Sequence, residues 1–306
     1  MAPTEAPSRM ASMRAGVIDV GSNTVRLLVA APSRRGLNTI LSERTHVGLG
    51  AEVERDGLLS ERKILHAAEL AGRYAALARS CGAAGLEVLV TAPGRQGRNA
   101  GLLHRVLGET SGAPVRQLSA EEEGRLAYTG ALAGCRSVPE SVAVCDIGGG
   151  STQLMVGPPS GPVWLRSLDL GSLRLTERFH QADPPEPGEL SAAARAVRDR
   201  FVGVVAPVPR LALATGGTAR ALRKIAGRRL DEQELLAALR LLSSEPSAQV
   251  ADDHSIPPER ARTLAAGTII LLEARRRLGI SLEVARGGVR EGAVLGLLAE
   301  LAAEAA

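Results

Sequence analysis

Two aspartates, Asp19 and Asp146, each end an apolar run and lead into a turn rich in glycine and hydroxyl residues, in AGVIDVGSNTVRLLVA and AVCDIGGGSTQLMVG. Glycine adopts positive φ and leaves the backbone open, so such turns present N–H groups that bind phosphate oxygens. A carboxylate beside them is a hard oxygen ligand for Mg²⁺. One such turn is weak evidence, whereas the repeat predicts two turns that bind one phosphate chain and its metal ion. The turn residues are Gly21, Ser22 and Asn23 in the first copy and Gly148, Gly149, Gly150, Ser151 and Thr152 in the second.

A third glycine cluster, Gly216-Gly217-Thr218, lies between a strand-like run and a helical pattern. The beginning of a helix there would be another phosphate-binding position, because its first N–H groups have no partner within the helix. An ordinary strand-to-helix turn with Thr218 near the cap explains the same residues. The spacing leaves both interpretations open.

An acidic triplet opens the segment LSAEEEGRLAYTGALAG. Ser119 and Glu122 have the spacing of a capping box, and Glu121 can pair with Arg125 one turn later. Glu123 has no such role, since the residues at 127, 130, 131 and 134 on its helix face are alanine and glycine. Its carboxylate either lies near the cap by chance or points into a closely packed site, and the spacing does not decide between them.

Two arginines, Arg95 and Arg98, lie in VTAPGRQGRNAG, where a strand-like run ends in a Pro-Gly turn. A lone arginine in a loop is commonly solvated. Beside phosphate-binding turns it can instead clamp a phosphate group, because the planar guanidinium pairs with two oxygens at once.

The basic residues are nearly all arginine: apart from Lys63 and Lys224, 35 of the 37 are arginine. A GC-rich genome explains this bias, and so does a polyanionic ligand. The net charge of +4 and the pI near 9.4 suit such a ligand without requiring it. The stretches RKIAGRR (223–229) and EARRRLG (273–279) either line a path for a polyanion or form solvated helix surface.

Cysteine usage and hydropathy favour a cytoplasmic protein. The three cysteines, at 81, 135 and 145, are odd in number and share no metal-ligand spacing, and the five histidines are scattered. We therefore expect reduced thiols and no zinc site. Residues 1–14 are small, polar and proline-containing, which predicts a disordered tail, and neither a signal peptide nor a membrane span fits the apolar runs.

With 306 residues the chain predicts two domains. Asp19 and Asp146 are 127 positions apart (146 minus 19), so each lies early in its own domain. We predict domains at 15–120 and 121–306 that face each other across a cleft, with a C-terminal helix near 290–306 able to pack back on the first.

Hydrophobic periodicity predicts mixed α/β layers. Strand-like runs occupy 15–20, 25–31, 86–91, 142–147, 152–157, 163–170 and 210–214. Helical patterns occupy about 60–80, 100–109, 120–133, 188–205, 217–226, 231–243, 258–278 and 290–304.

In their order along the chain these motifs resemble the exopolyphosphatase / guanosine pentaphosphate phosphohydrolase (Ppx/GppA) family, within the actin-like, sugar-kinase and Hsp70 ATPase superfamily. The resemblance rests on VIDVGSNTVRLLVA, TAPGRQ, LSAEEEGRLAYTGA, VCDIGGGSTQLMVG, SLDLGSLRLTERF, ATGGTARAL and GGVREGAVLGLL. It implies two ribonuclease-H-like domains with the active site in the cleft between them. The chain resembles the short, two-domain form, without the helical C-terminal domains of longer relatives.

The resemblance also implies roles for individual residues. Glu123 aligns with the catalytic glutamate, the general base that takes a proton from the attacking water. Asp19 and Asp146 would hold or orient Mg²⁺, with Mn²⁺ as an alternative, and the glycine turns would bind phosphate oxygens. Arg95 would neutralise charge that develops on the phosphoryl group.

Two positions depart from the family pattern. The family usually has glutamate after Gly-Gly-Gly-Ser-Thr as a carboxylate of the metal site, where this chain has Gln153. A neutral amide oxygen is a poorer Mg²⁺ ligand, which places metal affinity in question. Pro93-Gly94 replaces small and Thr/Val-like residues before Arg95, which places the position of that arginine in question.

The leading hypothesis is a Mg²⁺-dependent phosphohydrolase that removes the terminal phosphate of inorganic polyphosphate, of pppGpp, or of both. The alternatives are a non-catalytic polyphosphate or nucleotide sensor of the same fold, motivated by Gln153 and Pro93-Gly94, and a sugar kinase or actin-like ATPase. We expect no nucleic acid or membrane partner, and analogy with relatives suggests a homodimer.

Overall fold

The computed structural model of the protein describes residues 13–34 and 36–306. Their contacts divide the chain into two compact units. Unit 1 is the chain up to Arg136 together with Val289–Ala306, and unit 2 is Ser137–Gly288. The division therefore lies after the helix that carries the acidic triplet, whereas the sequence pattern placed it before that helix, at residue 120.

Unit 1 is built on a five-stranded mixed sheet with the order β3-β2-β1-β4-β5. Its strands are β1 (Ala15–Val20), β2 (Thr24–Ser33), β3 (Gly36–His46), β4 (Gly85–Val90) and β5 (Val115–Gln117). Its helices are α1 (Leu49–Asp56), α2 (Glu61–Ser80), α3 (Ala92–Gln96), α4 (Ala100–Ser111), α5 (Ala120–Leu132) and the last helix of the chain, α13 (Val289–Glu304). Strands β1–β3 form an antiparallel meander, and β4 and β5 run parallel to β1.

Nearly every residue of β1 is buried, rather than every second one, as expected for a sheet with helices on both faces. On one face, Ile18 and Val20 pack with Ile64 of α2 and Leu103 of α4. On the other face, residues of β1 and β2 pack with Val294 and Leu298 of α13.

Helices α5 and α13 cross in close contact within unit 1. A methyl group at Gly292 would lie 2.0 Å from the carbonyl oxygen of Leu126, so only glycine permits this approach. The crossing explains why α5 belongs to unit 1 and why the boundary follows it.

The predicted tail falls mostly on residues 1–12, which lie outside the described residues. Met13 packs beside the core that α13 forms, and Arg14 donates a hydrogen bond to the carbonyl oxygen of Cys81 at 2.6 Å. These two residues, which the sequence assigned to the tail, are part of unit 1.

Unit 2 has a six-stranded mixed sheet with the order β10-β11-β9-β6-β7-β8. Its strands are β6 (Val142–Ile147), β7 (Thr152–Gly157), β8 (Trp164–Leu168), β9 (Leu211–Thr215), β10 (Arg229–Leu230) and β11 (Leu282–Val284). Its helices are α6 (Ser172–Phe179), α7 (Pro187–Arg200), α8 (Gly216–Ala226), α9 (Glu232–Ser244), α10 (Ser247–Asp253), α11 (Pro258–Ala261) and α12 (Leu264–Leu278). Strands β6–β8 form an antiparallel meander, and β9 and β11 run parallel to β6.

The two sheets share one topology. The order β8-β7-β6-β9-β11 in unit 2 repeats β3-β2-β1-β4-β5 in unit 1, with β10 added antiparallel at the edge. The strand with Asp19 and the strand with Asp146 are therefore the same central strand of one architecture used twice. The repeat seen in the sequence is a repeat of the fold.

Several elements differ from those that the hydrophobic periodicity predicted. Strand β3 is a largely exposed edge strand with the polar sequence GLNTILSERTH, so it has no apolar run to reveal it. The pattern at 258–278 is two helices, α11 and α12, and the Pro-Gly turn after β4 is the short helix α3. Among the described residues, no helix is both long and apolar enough to cross a membrane.

Candidate active site

In unit 1 the predicted site residues follow the carboxyl ends of three parallel strands. The N–H of Thr91 donates to the carbonyl of Val20 at 3.2 Å, and the N–H of Leu118 donates to the carbonyl of Val90 at 2.9 Å. These bonds bring the loops after β1, β4 and β5 together at one edge of the sheet, the usual position of ligands in open α/β sheets.

The first glycine turn begins beside the carboxylate of Asp19. The N–H of Gly21 closes the turn on the carbonyl of Thr24 at 3.1 Å. A methyl group at Gly21 would lie 3.8 Å from Asp19 Oδ1 and 3.7 Å from the hydroxyl of Thr91. Thr91 is buried at the end of β4 and was not among the sequence candidates, although its position directly after a strand-like run was a signal for it.

The amide side chain of Asn23 is buried beside this turn. Among the described residues neither its Nδ2 nor its Oδ1 has a hydrogen-bond partner. A buried amide without partners is destabilising by about 1–3 kcal/mol. This arrangement suits a residue that binds a ligand, as predicted for Asn23 from the sequence.

Glu123 and Arg95 form a buried ion pair. Arg95 Nη2 lies 2.7 Å from Glu123 Oε2, and Arg95 Nη1 donates to the carbonyl of Leu118 at 2.9 Å. The side chain of Glu123 is 7% exposed, and this guanidinium compensates the charge of its carboxylate. Of the two interpretations that the spacing left open for Glu123, the structure supports a position inside a closely packed site.

The other glutamates of the triplet have the structural roles predicted for them. Ser119 and Glu122 form the capping box, and Arg125 donates to Glu121 at 2.9 Å on the helix surface. The bond from the Ser119 backbone to Glu122 is the main reason that the pKa of this carboxyl is lowered.

Helix α3 presents Arg95 to Glu123. Pro93 lies in its first turn, where a missing N–H is tolerated. A methyl group at Gly94 would lie 2.7 Å from Val90 Cγ1, so glycine allows α3 to pack against the strand. The departure at Pro93-Gly94 is therefore compatible with an Arg95 that reaches Glu123.

In unit 2 the turn after β6 gathers a second set of predicted residues. The N–H of Gly148 closes this turn on the carbonyl of Ser151 at 3.0 Å, and Asp146 on β6 pairs in register with Gln153 on β7. A methyl group at Gly216 would lie 3.1 Å from Asp146 Oδ1, so the third glycine cluster begins beside this carboxylate.

Gln153 and Asp146 form an oxygen-rich pair that fits a hard cation. Gln153 Nε2 lies 3.1 Å from Ser151 Oγ and 3.3 Å from Ser167 Oγ. Its Oε1 is buried and lacks a hydrogen-bond partner among the described residues. An amide oxygen and a carboxylate on neighbouring strands suit Mg²⁺ coordination. No group of three or more His, Cys, Asp or Glu gathers as a metal site in residues 13–34 and 36–306.

The two threonines predicted to bind phosphate, Thr152 and Thr218, have buried side chains. Thr152 Oγ1 donates to the carbonyl of Leu170 at 2.5 Å. The hydroxyl of Thr218 is fully buried against Gly267, where an added methyl group would lie 2.7 Å from it. The Thr152 hydroxyl is thus already bonded, whereas the Thr218 hydroxyl has no hydrogen-bond partner among the described residues.

Sequence reasoning missed two supports of the glycine turns in unit 2. The N–H of Ser172 donates to the carbonyl of Gly148 and that of Arg174 to the carbonyl of Gly149, both at 3.0 Å, so the start of α6 holds the second turn. The buried guanidinium of Arg260 packs against Gly217, where an added methyl group would lie 2.6 Å from its Nη2. Arg260 lies outside every glycine motif, and no local pattern identified it.

Arginines of both stretches proposed as a polyanion path pair with carboxylates of unit 2, and in the first stretch Arg228 lies 3.4 Å from Glu283. Arg275 and Arg276 both contact Glu232, at 3.0 and 2.9 Å. Arg277 pairs with Glu273 at 2.9 Å. These contacts favour the alternative interpretation, solvated helix surface.

Comparison with known proteins agrees with this arrangement. Residues 28–301 match the sequence model of the Ppx/GppA phosphatase family. The chain belongs to this family. Exopolyphosphatase 2 of Mycobacterium tuberculosis is 30% identical, over 94% of this chain and 99% of that protein. Exopolyphosphatase 1 of the same organism is 29% identical, over 92% and 88%.

Solved structures confirm the predicted fold class. The Ppx/GppA family member of Aquifex aeolicus superposes with a TM-score of 0.79 at 26% identity, covering 95% of this chain and 98% of that one. An exopolyphosphatase from Cytophaga hutchinsonii shares the fold, with a TM-score of 0.85 at 19% identity, covering 94% and 98%. This Ppx/GppA protein therefore has the two ribonuclease-H-like domains of the actin-like ATPase superfamily.

Proposed function

We propose that this protein is a Mg²⁺-dependent exopolyphosphatase, which hydrolyses the terminal phosphoanhydride bond of inorganic polyphosphate. The buried Glu123–Arg95 pair carries the proposal: a carboxylate held at 2.7 Å from a guanidinium supplies a base and a phosphate-binding cation side by side. The names of the mycobacterial relatives support polyphosphate as the substrate.

Glu123 acts as the general base. It accepts a proton from water as the water oxygen forms a bond to the terminal phosphorus, and the bond from that phosphorus to the bridging oxygen breaks. The products are orthophosphate and a chain shorter by one phosphate. Because Arg95 is bonded to Glu123 and Leu118, its guanidinium is already oriented before substrate binds, and it stabilises negative charge on the phosphoryl oxygens.

Asp19, Asp146 and Gln153 are the residues proposed to hold Mg²⁺. When bound, the ion would neutralise charge on the phosphate oxygens. The buried, unpartnered Oε1 of Gln153 supports this assignment in unit 2. The turns at Gly21–Asn23 and Gly148–Thr152 are proposed to bind the phosphate oxygens through backbone N–H groups other than those of Gly21 and Gly148, which close the turns.

The test is phosphate release with Mg²⁺ from long polyphosphate, short polyphosphate and pppGpp. Glu123→Gln keeps the size of the side chain and removes the base, so we expect a loss of about 10²–10⁴-fold in kcat. Glu121→Gln is the matched control, since this exposed glutamate pairs with Arg125 on the surface of α5 and its loss should leave the rate unchanged. Equal rates for wild type and Glu123→Gln would refute the assignment of the base.

The comparison of these substrates distinguishes a preference for polyphosphate from a preference for pppGpp. Faster release from pppGpp than from either polyphosphate would make the protein a guanosine pentaphosphate phosphohydrolase that uses the same residues. The neutral Gln153 favours a second candidate, a non-catalytic sensor. Polyphosphate binding by wild type without any phosphate release would support the sensor.

A further inference from the structure

The segment that follows β3 holds the first glycine turn by its backbone. The N–H groups of Val47 and Gly48 both donate to the carbonyl of Asn23 at 3.0 Å, and the N–H of Gly50 donates to the carbonyl of Ser22 at 2.7 Å. Two carbonyls of the turn are thereby fixed by one short segment, residues 47–50, which belongs to none of the motifs found in the sequence.

The side chain of Lys63 binds the carbonyl groups of this segment. Its ammonium donates to the carbonyls of Val47 and Gly48, the latter at 3.1 Å. The carbonyl of Val47 and the N–H of Gly48 belong to the same peptide group. A chain of hydrogen bonds therefore runs from the Lys63 ammonium through this peptide to the carbonyl of Asn23. A charge at one end of such a chain polarises and strengthens the bonds along it.

The position of Lys63 is itself fixed. It lies in the first turn of α2, where its backbone N–H donates to the N-cap hydroxyl of Ser60 at 3.3 Å. Ser60 in turn donates to the buried carboxylate of Glu52, from its N–H at 2.8 Å and its hydroxyl at 3.0 Å. The first turn of α2, which is hydrogen-bonded to α1 through Ser60 and Glu52, therefore fixes the position of the ammonium.

The two lysines of this chain bind similar backbone positions. Lys63 and Lys224 are the two lysines among 37 basic residues, and each donates to the carbonyl of a left-handed residue: Lys63 to Gly48, with φ of 68°, and Lys224 to Ser255, with φ of 51°. At Gly48 an added methyl group would lie 3.1 Å from Lys63 Nζ, so the space is tight. An ammonium is a compact donor with three N–H groups, so it can donate to two carbonyls within this narrow space.

We propose that Lys63 is a positioning residue for substrate binding, which acts through the 47–48 peptide on the Ser22-Asn23 turn. The inference rests on the proposed function, because that turn is where the terminal phosphates would bind. Arg95 and Glu123 lie on the helices that follow β4 and β5, whereas the bonds of Lys63 lead to the turn after β1. The loss of Lys63 should therefore weaken substrate binding more than it slows the chemical step.

The test compares Lys63→Met, Lys63→Arg and the control Lys224→Met, which removes the equivalent bond at Ser255 in unit 2. Hydrogen–deuterium exchange is followed in peptides covering residues 21–26 and 45–51, and KM and kcat are measured with polyphosphate. We expect Lys63→Met to exchange at least tenfold faster in these peptides, and Lys63→Arg, which keeps a cationic donor, to exchange more slowly than Lys63→Met. For Lys63→Met we also expect a KM raised at least tenfold with kcat changed less than threefold. Neither exchange nor kinetics should change for Lys224→Met.

Three results would overturn the inference. One is unchanged exchange at 45–51 in Lys63→Met. Another is faster exchange spread over all of unit 1 with equal losses in KM and kcat, which would mean general destabilisation. The third is exchange in Lys63→Arg as fast as in Lys63→Met, which would show that the positive charge does not hold the turn. Absence of phosphate release from wild type would instead refute the proposed function, while exchange and calorimetric binding of tripolyphosphate would still decide the role of Lys63.

Discussion

The close crossing of α5 and α13 offers a sharp test of the structure through two glycines one turn apart on the same helix. A methyl group at Gly292 would lie 2.0 Å from the carbonyl oxygen of Leu126, whereas a methyl group at Gly296 meets nothing within 4 Å. The perturbation is Gly292→Ala, with Gly296→Ala as its matched control.

The magnitude follows from these distances. Both substitutions remove a glycine from a helix interior, which stabilises by about 1 kcal/mol. In Gly292→Ala the helices must also separate by more than 1 Å to restore an ordinary contact of about 3.4 Å. Overpacking of this kind destabilises by about 1–3 kcal/mol, and a collision with backbone belongs at the upper end. The difference between the two variants isolates the collision, because the gain in helix propensity is common to both.

The assay is thermal unfolding of both variants beside wild type. We expect Gly296→Ala to melt slightly above wild type and Gly292→Ala to melt roughly 6–12 °C below Gly296→Ala, at about 2–4 °C per kcal/mol for a domain of this size. Because Glu123 lies one turn before Leu126 on α5, Gly292→Ala should also lower phosphate release. Equal melting temperatures for the two variants would refute the crossing.

Three further predictions concern unit 2. Burial lowers the pKa of His180 below its ordinary 6.5, so the unfolded chain binds this proton more readily and stability falls as the pH drops below 6.5. His180→Leu should flatten that slope in melting curves from pH 7 to 5, and an unchanged slope would contradict this cause. Gly171→Ala places a methyl group 2.2 Å from the carbonyl oxygen of Gly149, so it should destabilise the protein by about 3 kcal/mol and abolish phosphate release. Its control is Gly188→Ala, where the added methyl group meets nothing within 4 Å, and this variant should match wild type in chemical denaturation and activity. Gln153→Glu adds a negative charge beside Asp146 and should lower the dissociation constant for Mg²⁺ in a calorimetric titration. A dissociation constant equal to or higher than that of wild type would argue against a cation at this pair.

Local patterns predicted the features that depend on neighbours in sequence. The capping box of Ser119 and Glu122 and the pairing of Glu121 with Arg125 need only the spacing of one helix, and both are present. The strands on either side of Asp19 and Asp146 were likewise evident, because buried central strands are continuous apolar runs.

Features that depend on distant parts of the chain were not predictable from local patterns. Strand β3 is polar and exposed, so pairing with β2 rather than its own composition makes it a strand. Arg260 reaches Gly217 from a different helix, and Lys63 reaches Gly48 from the start of α2. Side chains of this kind carry no spacing signal, since their partners are chosen by packing.

The sequence by itself determined the α/β class, the two copies of one strand–turn–strand unit and the family, because these follow from apolar periodicity and from motifs that are contiguous in the chain. The tertiary structure alone decided that Glu123 is a buried carboxylate paired with Arg95 and that α5 belongs with α13. It also decided that Gln153, which pairs in register with Asp146, has a buried Oε1 without a hydrogen-bond partner among the described residues. Each of these depends on which distant residues occupy the same space, and close packing settles that for the whole fold at once.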